Sequence, residues 1–196
     1  LNRAQSNLTG HIVRIDEANG DSAATTFTWD IFVMGGDPNA ESATAPTRGG
    51  GAPAFVAPVV AGEPTISGDR FACPDNMFID SSHRVWIATD GSDAIFEDCN
   101  DCILMTPVAT ERPRPIKRFL VGPVGAELCG PLMAPDERTF FCSIQHPGAN
   151  DVTGLDFATS RWQGAPPTSH FPDGGDTWPR AAVIMITRDD GGRIGD

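Results

Sequence analysis

The sequence has 196 residues, and 26 acidic against 14 basic side chains give it a formal net charge of −12. Hydrophobic residues make up 40% of the chain, which excludes wholesale disorder and indicates one globular domain or part of one. Because the few basic residues form no Lys/Arg-rich stripe, nucleic acids and anionic membrane surfaces are disfavoured as partners. No run reaches the roughly 18 apolar residues of a membrane-spanning helix, so no membrane span is expected.

The composition favours a mostly β protein. The 21 Gly and 17 Pro indicate many turns and few long helices. Asp outnumbers Glu by 19 to 7, and Asp is typical both of tight turns and of sites for hard cations such as Ca²⁺.

The first part of the chain predicts a β-hairpin followed by an irregular insertion. Residues 11–16 and 26–34 both alternate apolar and polar side chains, and Asn19-Gly20-Asp21 supplies a turn between them. Residues 35–68 are rich in Gly, Pro, Ala, Ser and Thr, with few candidates for a core. They are interpreted as a long irregular insertion.

Two later segments repeat one layout of strand, turn and strand. Short strands are predicted at 78–79 and 85–87, and again at 132–133 and 139–141, at a constant offset of 54 residues. Further strands are predicted at 103–108, 116–121 and 181–187.

A unit of this kind, repeated at about 50 residues, is typical of a β-propeller blade. The chain holds about three such units, whereas propellers close with roughly four to eight blades. We therefore expect this chain to be part of a larger propeller, whose other blades lie upstream or on another chain. The alternative is an ordinary β-sandwich with a chance repeat.

Two segments at predicted strand edges offer oxygen ligands. Asp75 and Asn76 place a carboxylate beside an amide oxygen, a pair that suits Ca²⁺, although an Asx turn would use the same residues. Glu127 lies between glycines, which allow close approach of backbone to a ligand. It is a candidate metal ligand, and the alternative is an exposed loop charge.

Two more candidates follow predicted strands. Gln145 and His146 could bind substrate or orient a metal ligand, and the alternative for His146 is a turn histidine with its hydrogen bonds satisfied. Asp90 follows the strand at 85–87, where it is either a ligand or a turn former.

The cysteine spacing and the absence of several known motifs narrow the range of possible functions. Cys99 and Cys102 have C-x-x-C spacing without a second pair or a nearby His, so a local disulfide or two loop thiols is favoured over a zinc knuckle. The chain has no P-loop, no dinucleotide fingerprint and no G-x-S-x-G elbow, so nucleotide-binding and serine-hydrolase functions lose support.

Taken in chain order, several segments resemble the C-terminal part of the PhoX-type alkaline phosphatases, a bacterial family of calcium- and iron-dependent enzymes. The matching segments are residues 2–3, 10–14, 24–33, 36–38, 74–76, 86–91, 118–127, 135–136, 144–148 and 188–192. Each is weakly specific by itself, but together and in this order they cover most of the chain.

The resemblance implies a propeller enzyme, six-bladed as a whole, that hydrolyses phosphomonoesters at a cluster of Fe³⁺ and Ca²⁺ ions. Such enzymes are exported through the twin-arginine route to the periplasm or beyond. By match to the motifs, Asp75 and Asn76 would be calcium ligands and Glu127 a further metal ligand. Gln145, His146 and Asp90 are expected to bind substrate or to support the ligands because of their place at strand ends, and no motif assigns a catalytic residue.

The family's cysteine iron ligand and its further carboxylates lie in earlier segments that have no counterpart here. None of the five cysteines is therefore proposed as an iron ligand, and residues 1–196 alone are expected to be inactive. Two other functions stay open: a calcium-dependent lactonase-like propeller hydrolase and a non-catalytic propeller module that binds a protein or a sugar. Metal analysis separates the three functions: the phosphatase requires iron with calcium, the lactonase-like hydrolase requires calcium alone, and the binding module requires no metal.

Overall fold

The computed structural model describes residues 7, 9–40, 58–96, 99–149, 155–156, 161–162 and 168–196. Over these residues the regular secondary structure is almost entirely β-strand, which confirms the expected all-β class. The strands are β1 (His11–Glu17), β2 (Phe27–Met34), β3 (Val59–Val60), β4 (Glu63–Pro64), β5 (Ile66–Gly68), β6 (Pro74–Ile79), β7 (Arg84–Thr89), β8 (Cys102–Pro107), β9 (Arg114–Val121), β10 (Glu127–Met133), β11 (Thr139–Gln145), β12 (Leu155–Asp156), β13 (Arg161–Trp162) and β14 (Ala182–Thr187). One short helix, α1 (Ser92–Ile95), and one 3₁₀ turn (Ala18–Gly20) accompany them.

The predicted N-terminal hairpin is confirmed. β1 and β2 pair antiparallel, and a bulge between Ile12 and Val13 shifts their register. Asn19, in the connecting turn, has a φ of 60°, a left-handed conformation that Asn tolerates better than most residues.

The largest sheet has five strands in the order β5-β9-β8-β7-β6. Strands β6 to β9 form an antiparallel meander of sequence neighbours, and β5 adds to β9 in parallel. The expectation of irregular structure is therefore wrong for residues 59–68, which form β3, β4 and β5. Ile66 in β5 is buried and belongs to the core, whereas residues 41–57 of the expected insertion lie outside the described residues.

A second sheet has three strands in the order β10-β11-β14. The β6–β7 and β10–β11 hairpins confirm the two repeated units, but their registers differ: Phe78 pairs with Trp86, whereas Leu132 pairs with Phe141. The turn between β10 and β11 is one residue longer than the turn between β6 and β7, and this accounts for the shift.

Two apolar cores lie on opposite faces of the five-stranded sheet. On one face, Ile87 packs in a cluster with Phe32 and Val33 of the hairpin. On the other, Trp86 and Ala88 pack in a cluster with strands β10 and β11. All six residues of β7 are buried because the strand is covered on both sides.

Aromatic contacts join the two sheets. The rings of Trp86, Phe119 and Phe140 lie 5.0 to 5.2 Å apart between centroids, two of the pairs edge to face. The other face of the three-stranded sheet exposes Leu132, Val183 and Met185, each more than half accessible. This outer apolar face has no cover among the residues described.

Candidate metal centre

Polar side chains gather at one end of the two sheets, where β7 and β11 end and β10 begins. Asp90 directly follows β7, Glu127 opens β10 and His146 directly follows β11. Each contributes one ligand atom to a group in which all atoms lie within 4.8 Å of one another. Residues from three separate segments therefore meet in a space that one metal ion could occupy.

Asp101, just before β8, holds the turn that carries Asp90. Its buried carboxylate accepts hydrogen bonds from the Thr89 hydroxyl at 2.6 Å and from the Gly91 and Ser92 amides at 2.8 Å each. Three donors on one buried carboxylate fix the backbone on both sides of Asp90. Asp90 therefore stands in this turn, as the turn-former alternative expected, and its carboxylate also belongs to the three-residue group.

The backbone fixes the orientation of the His146 ring. Nδ1 lies 3.2 Å from the Gly125 carbonyl oxygen, which can only accept, so Nδ1 carries the proton of this contact. In the neutral ring, Nε2 then presents a lone pair, and it lies 3.3 Å from Oε2 of Glu127. At that distance the two atoms can share one cation, such as a metal ion.

Gly125 brings the Glu127 segment close to the loop after His146. Its φ is +67°, and a Cβ built there would lie 1.7 Å from the carbonyl oxygen of Ala149. Only glycine permits this approach. The Gly148 amide donates to the Val124 carbonyl at 2.7 Å and ties the same two loops together.

Negative charge accumulates around Asp90. Burial raises the pKa of Asp90, and the carboxylates of Glu127, Asp101 and Asp75 raise it further, while His146 acts in the opposite direction. Burial and a hydrogen bond to Glu127 raise the pKa of the Cys129 thiol to about 12. Crowded carboxylates of this kind attract a cation.

Asp75 and Asn76 lie beside this group but outside it. Both belong to β6, so the alternative of an Asx turn at these residues is wrong. The Asn76 amide donates to the Asp75 carboxylate at 2.6 Å, and its oxygen accepts from the Gly130 amide of β10 at 2.9 Å. Asn76 thus links the two sheets at the edge of the site, and Asp75 acts on Asp90 through its charge.

Gln145 pairs with Glu127 across β10 and β11, and its side chain contacts Cys129. Its amide nitrogen donates to the Cys129 sulfur at 2.8 Å, and that sulfur lies 2.7 Å from Oε1 of Glu127. Sequence reasoning missed the part that Cys129 and Asp101 play. No motif marks either residue, because their contacts depend on strand pairing and on the packing of a distant turn.

The C-x-x-C pair is not a disulfide, because Cys99 and Cys102 are both free cysteines. Only Cys99 is a loop thiol, since Cys102 opens β8 and is buried. Burial raises the pKa of Cys102 to about 11.

A cavity of about 600 Å³ lies at the opposite end of the five-stranded sheet. Arg14, Asp30 and Arg112 are among its lining residues, and Arg112 pairs with Asp30 at 2.8 Å. β9 begins there and runs toward the candidate metal centre, so this cavity is separate from the three-residue group.

Comparison with known proteins identifies the family of this chain. The family model described as alkaline phosphatase PhoX matches residues 1–148. A solved structure, Pseudomonas fluorescens PhoX in complex with vanadate, a transition state analogue, is 32% identical with a TM-score of 0.68; the match covers 96% of this chain and 28% of that one. A search of the curated proteins found no match. No helix within the described ranges has the length and apolar character that crossing a membrane requires. The chain belongs to the PhoX alkaline phosphatase family.

Proposed function

We propose that the polypeptide containing this chain hydrolyses phosphomonoesters with the help of metal ions, and that Asp90, Glu127 and His146 hold one of those ions. The observation that carries the proposal is the convergence of these three side chains, from three separate segments, in a member of the PhoX family. The vanadate complex of the related structure agrees with it, since vanadate is named there as a transition state analogue.

The donor set fits the proposed metals. The carboxylates of Asp90 and Glu127 can bind Ca²⁺ as well as iron, and the His146 imidazole suits iron. The neighbouring oxygens of Asp75 and Asn76 suit Ca²⁺. We therefore assign Fe³⁺ and Ca²⁺ to this end of the sheets. When bound, such ions act as Lewis acids and offset the negative charge of the phosphate oxygens.

The chain's own residues would prepare this site in three ways. Asp101 fixes the turn that presents Asp90, and the Gly125 carbonyl turns Nε2 of His146 toward Glu127. Asp75 and Asn76 extend the oxygen-rich surface along β6. Gln145 supports the centre through Cys129. No described residue is assigned as a nucleophile or as a general acid.

We further propose that residues 1–196 form the C-terminal part of one six-bladed β-propeller, about three blades of it, with an insertion at about 35–68 whose last strand, β5, joins the five-stranded sheet. The four-stranded meander β6–β9 packed face to face on β10, β11 and β14 supports this. So does the outer apolar face, formed by Leu132, Val183 and Met185, which a following blade would cover. The remaining blades of the propeller would lie upstream in the same polypeptide or on another chain. Family membership supports export to the periplasm or the medium by the twin-arginine route.

The size of the polypeptide tests the architecture. The chain spans 28% of the length of the related PhoX structure. An intact mass of roughly three to four times 20.8 kDa, the ratio that this coverage gives, would agree with a full propeller. A mass of 20.8 kDa would require the remaining blades to come from a partner chain, and the isolated chain should then lack phosphatase activity.

The activity is tested with the variant Glu127→Gln in the complete polypeptide. This change keeps the size of the side chain and removes its charge, so turnover of p-nitrophenyl phosphate should fall by at least about 100-fold. The matched control is Glu17→Gln, at the exposed end of β1, which should keep the wild-type rate. Unchanged turnover of the Glu127 variant would remove this residue from the site.

A further inference from the structure

Glu127 is held by a thiol on its own strand. Cys129 lies two residues further along β10, so the two side chains share a face of the sheet. The Cys129 thiol donates to Oε1 of Glu127 at a distance of 2.7 Å between sulfur and oxygen. The other carboxylate oxygen, Oε2, lies 3.3 Å from Nε2 of His146. Each oxygen of the carboxylate therefore has its own partner.

A second contact orients the thiol. Gln145 pairs directly with Glu127 across β10 and β11, and its amide nitrogen donates to the Cys129 sulfur at 2.8 Å. Since the sulfur accepts this bond, its own hydrogen is directed toward the carboxylate. A thiol is a weak donor to neutral groups, but a charged acceptor strengthens the bond. The three residues form a chain of donors, Gln145 to Cys129 to Glu127, that ends on the candidate ligand.

Cys129 lies beside the metal group without belonging to it. The group whose ligand atoms lie within 4.8 Å of one another contains Asp90, Glu127 and His146, and no sulfur. The thiol is thus in contact with the Glu127 carboxylate but is not one of the three candidate ligands.

We propose that Cys129 is a positioning residue, whose S–H fixes the Glu127 carboxylate in the orientation in which it meets Asp90 and His146. This inference rests on the proposed metal-dependent function and adds a residue that the motifs do not assign. Partners that orient a metal-binding carboxylate typically contribute 10- to 100-fold to metal affinity or activity. Removing the thiol should have an effect of about that size.

The test compares Ca²⁺ binding by calorimetric titration of the complete polypeptide and of its Cys129 variants. Cys129→Ala and Cys129→Val both remove the donor, but only the first leaves a gap, so a loss shared by both reports the hydrogen bond rather than the packing. Both should bind Ca²⁺ about 10- to 100-fold more weakly. Cys129→Ser, which retains a donor, should stay within about threefold of the wild type, because a hydroxyl can make the same two contacts. Cys99→Ala serves as a control for loss of a thiol.

The outcomes separate this proposal from the function on which it rests. If Glu127→Gln weakens Ca²⁺ binding while the Ala and Val variants of Cys129 bind like the wild type, Cys129 has no positioning role. If Glu127→Gln itself leaves binding unchanged, the proposed metal centre fails. A loss in Cys129→Ser equal to that in Cys129→Val would also overturn the proposal, since the hydrogen bond would then not be what matters.

Discussion

The buried carboxylate of Asp80 provides the sharpest test of the forces that hold the β6–β7 hairpin to the C-terminal segment. It accepts four hydrogen bonds: Oδ1 from the Ser82 and Arg84 amides at 2.9 Å each, and Oδ2 from Arg84 Nε at 2.6 Å and Trp86 Nε1 at 2.8 Å. The Arg84 guanidinium also donates to the carbonyl of Ile194 at 3.0 Å. One carboxylate thus connects the turn after β6, the core tryptophan and the C-terminal segment.

Asp80→Asn keeps the shape of the side chain but places an NH₂ group where an oxygen accepted two donors. It also leaves the buried Arg84 cation without its principal counterion, and breaking a buried pair from one side costs about 3–5 kcal/mol. With a urea slope of about 2 kcal/mol per molar, the unfolding midpoint should fall by about 1.5–2.5 M.

Equilibrium urea unfolding followed by tryptophan fluorescence measures this change. The matched control is Asp16→Asn, which breaks the exposed Arg14–Asp16 pair and should cost less than about 1 kcal/mol. Burial alone would raise the pKa of Asp80, but hydrogen bonds from Trp86 and Arg84 outweigh burial and lower it. The stabilisation that the Asp80 carboxylate provides is therefore fully present above the ordinary pKa of an Asp side chain, 3.8, and is lost as the pH falls below that value. Equal midpoint shifts for the two variants would refute the reasoning.

Three further predictions concern other parts of the chain. Hydrogen bonds lower the pKa of Glu137 to about 2, so the stabilisation that its carboxylate provides is complete above pH 4.5 and declines toward pH 2. Urea unfolding of Glu137→Gln should therefore show a loss of stability at pH 7 that shrinks at pH 3, and a loss independent of pH would contradict this. Gly125→Ala would place a Cβ against the carbonyl of Ala149, so both the melting temperature and the phosphatase rate should drop, and a wild-type rate would contradict the close approach. Iodoacetamide at pH 8 should label Cys99 before Cys102, because Cys102 is buried and its pKa is raised to about 11. Peptide mass spectrometry measures the two labelling rates, and equal rates would contradict the burial of Cys102.

Much of the strand pattern could be predicted because it depends on local alternation. The hairpin of β1 and β2 and the repeated pairs β6–β7 and β10–β11 all join strands that are close in sequence, so a turn and two alternating runs specify them. The one-residue shift between the repeats could not be predicted from a constant offset, because register is set by the geometry of each turn.

The strand β5 could not be predicted because its partner is distant. It is three residues long, and it pairs in parallel with β9, almost 50 residues later. A short run among Gly and Pro residues carries no periodic signal, and its order depends on the distant pairing with β9 and on the burial of Ile66 in the core.

The candidate metal centre, like the fold, could be predicted from the sequence only in part. Asp90, Glu127 and His146 could be named from sequence because polar residues at strand ends are typical of functional loops. Their convergence could not be derived, because it depends on how the two sheets pack. Asp101 and Cys129 act through contacts across strands and turns, and a side chain whose role is to hold another side chain leaves no motif in a single sequence.

The central claim is that Asp90, Glu127 and His146 bind a metal ion that phosphate hydrolysis requires. Elemental analysis of the purified complete polypeptide, set beside the Asp90→Asn and Glu127→Gln variants, tests it most directly. We expect iron and calcium in stoichiometric amounts in the wild type, and loss of at least one of the two metals in both variants, in step with p-nitrophenyl phosphate turnover. An active wild type without bound metal, or variants with undiminished metal content, would contradict the claim.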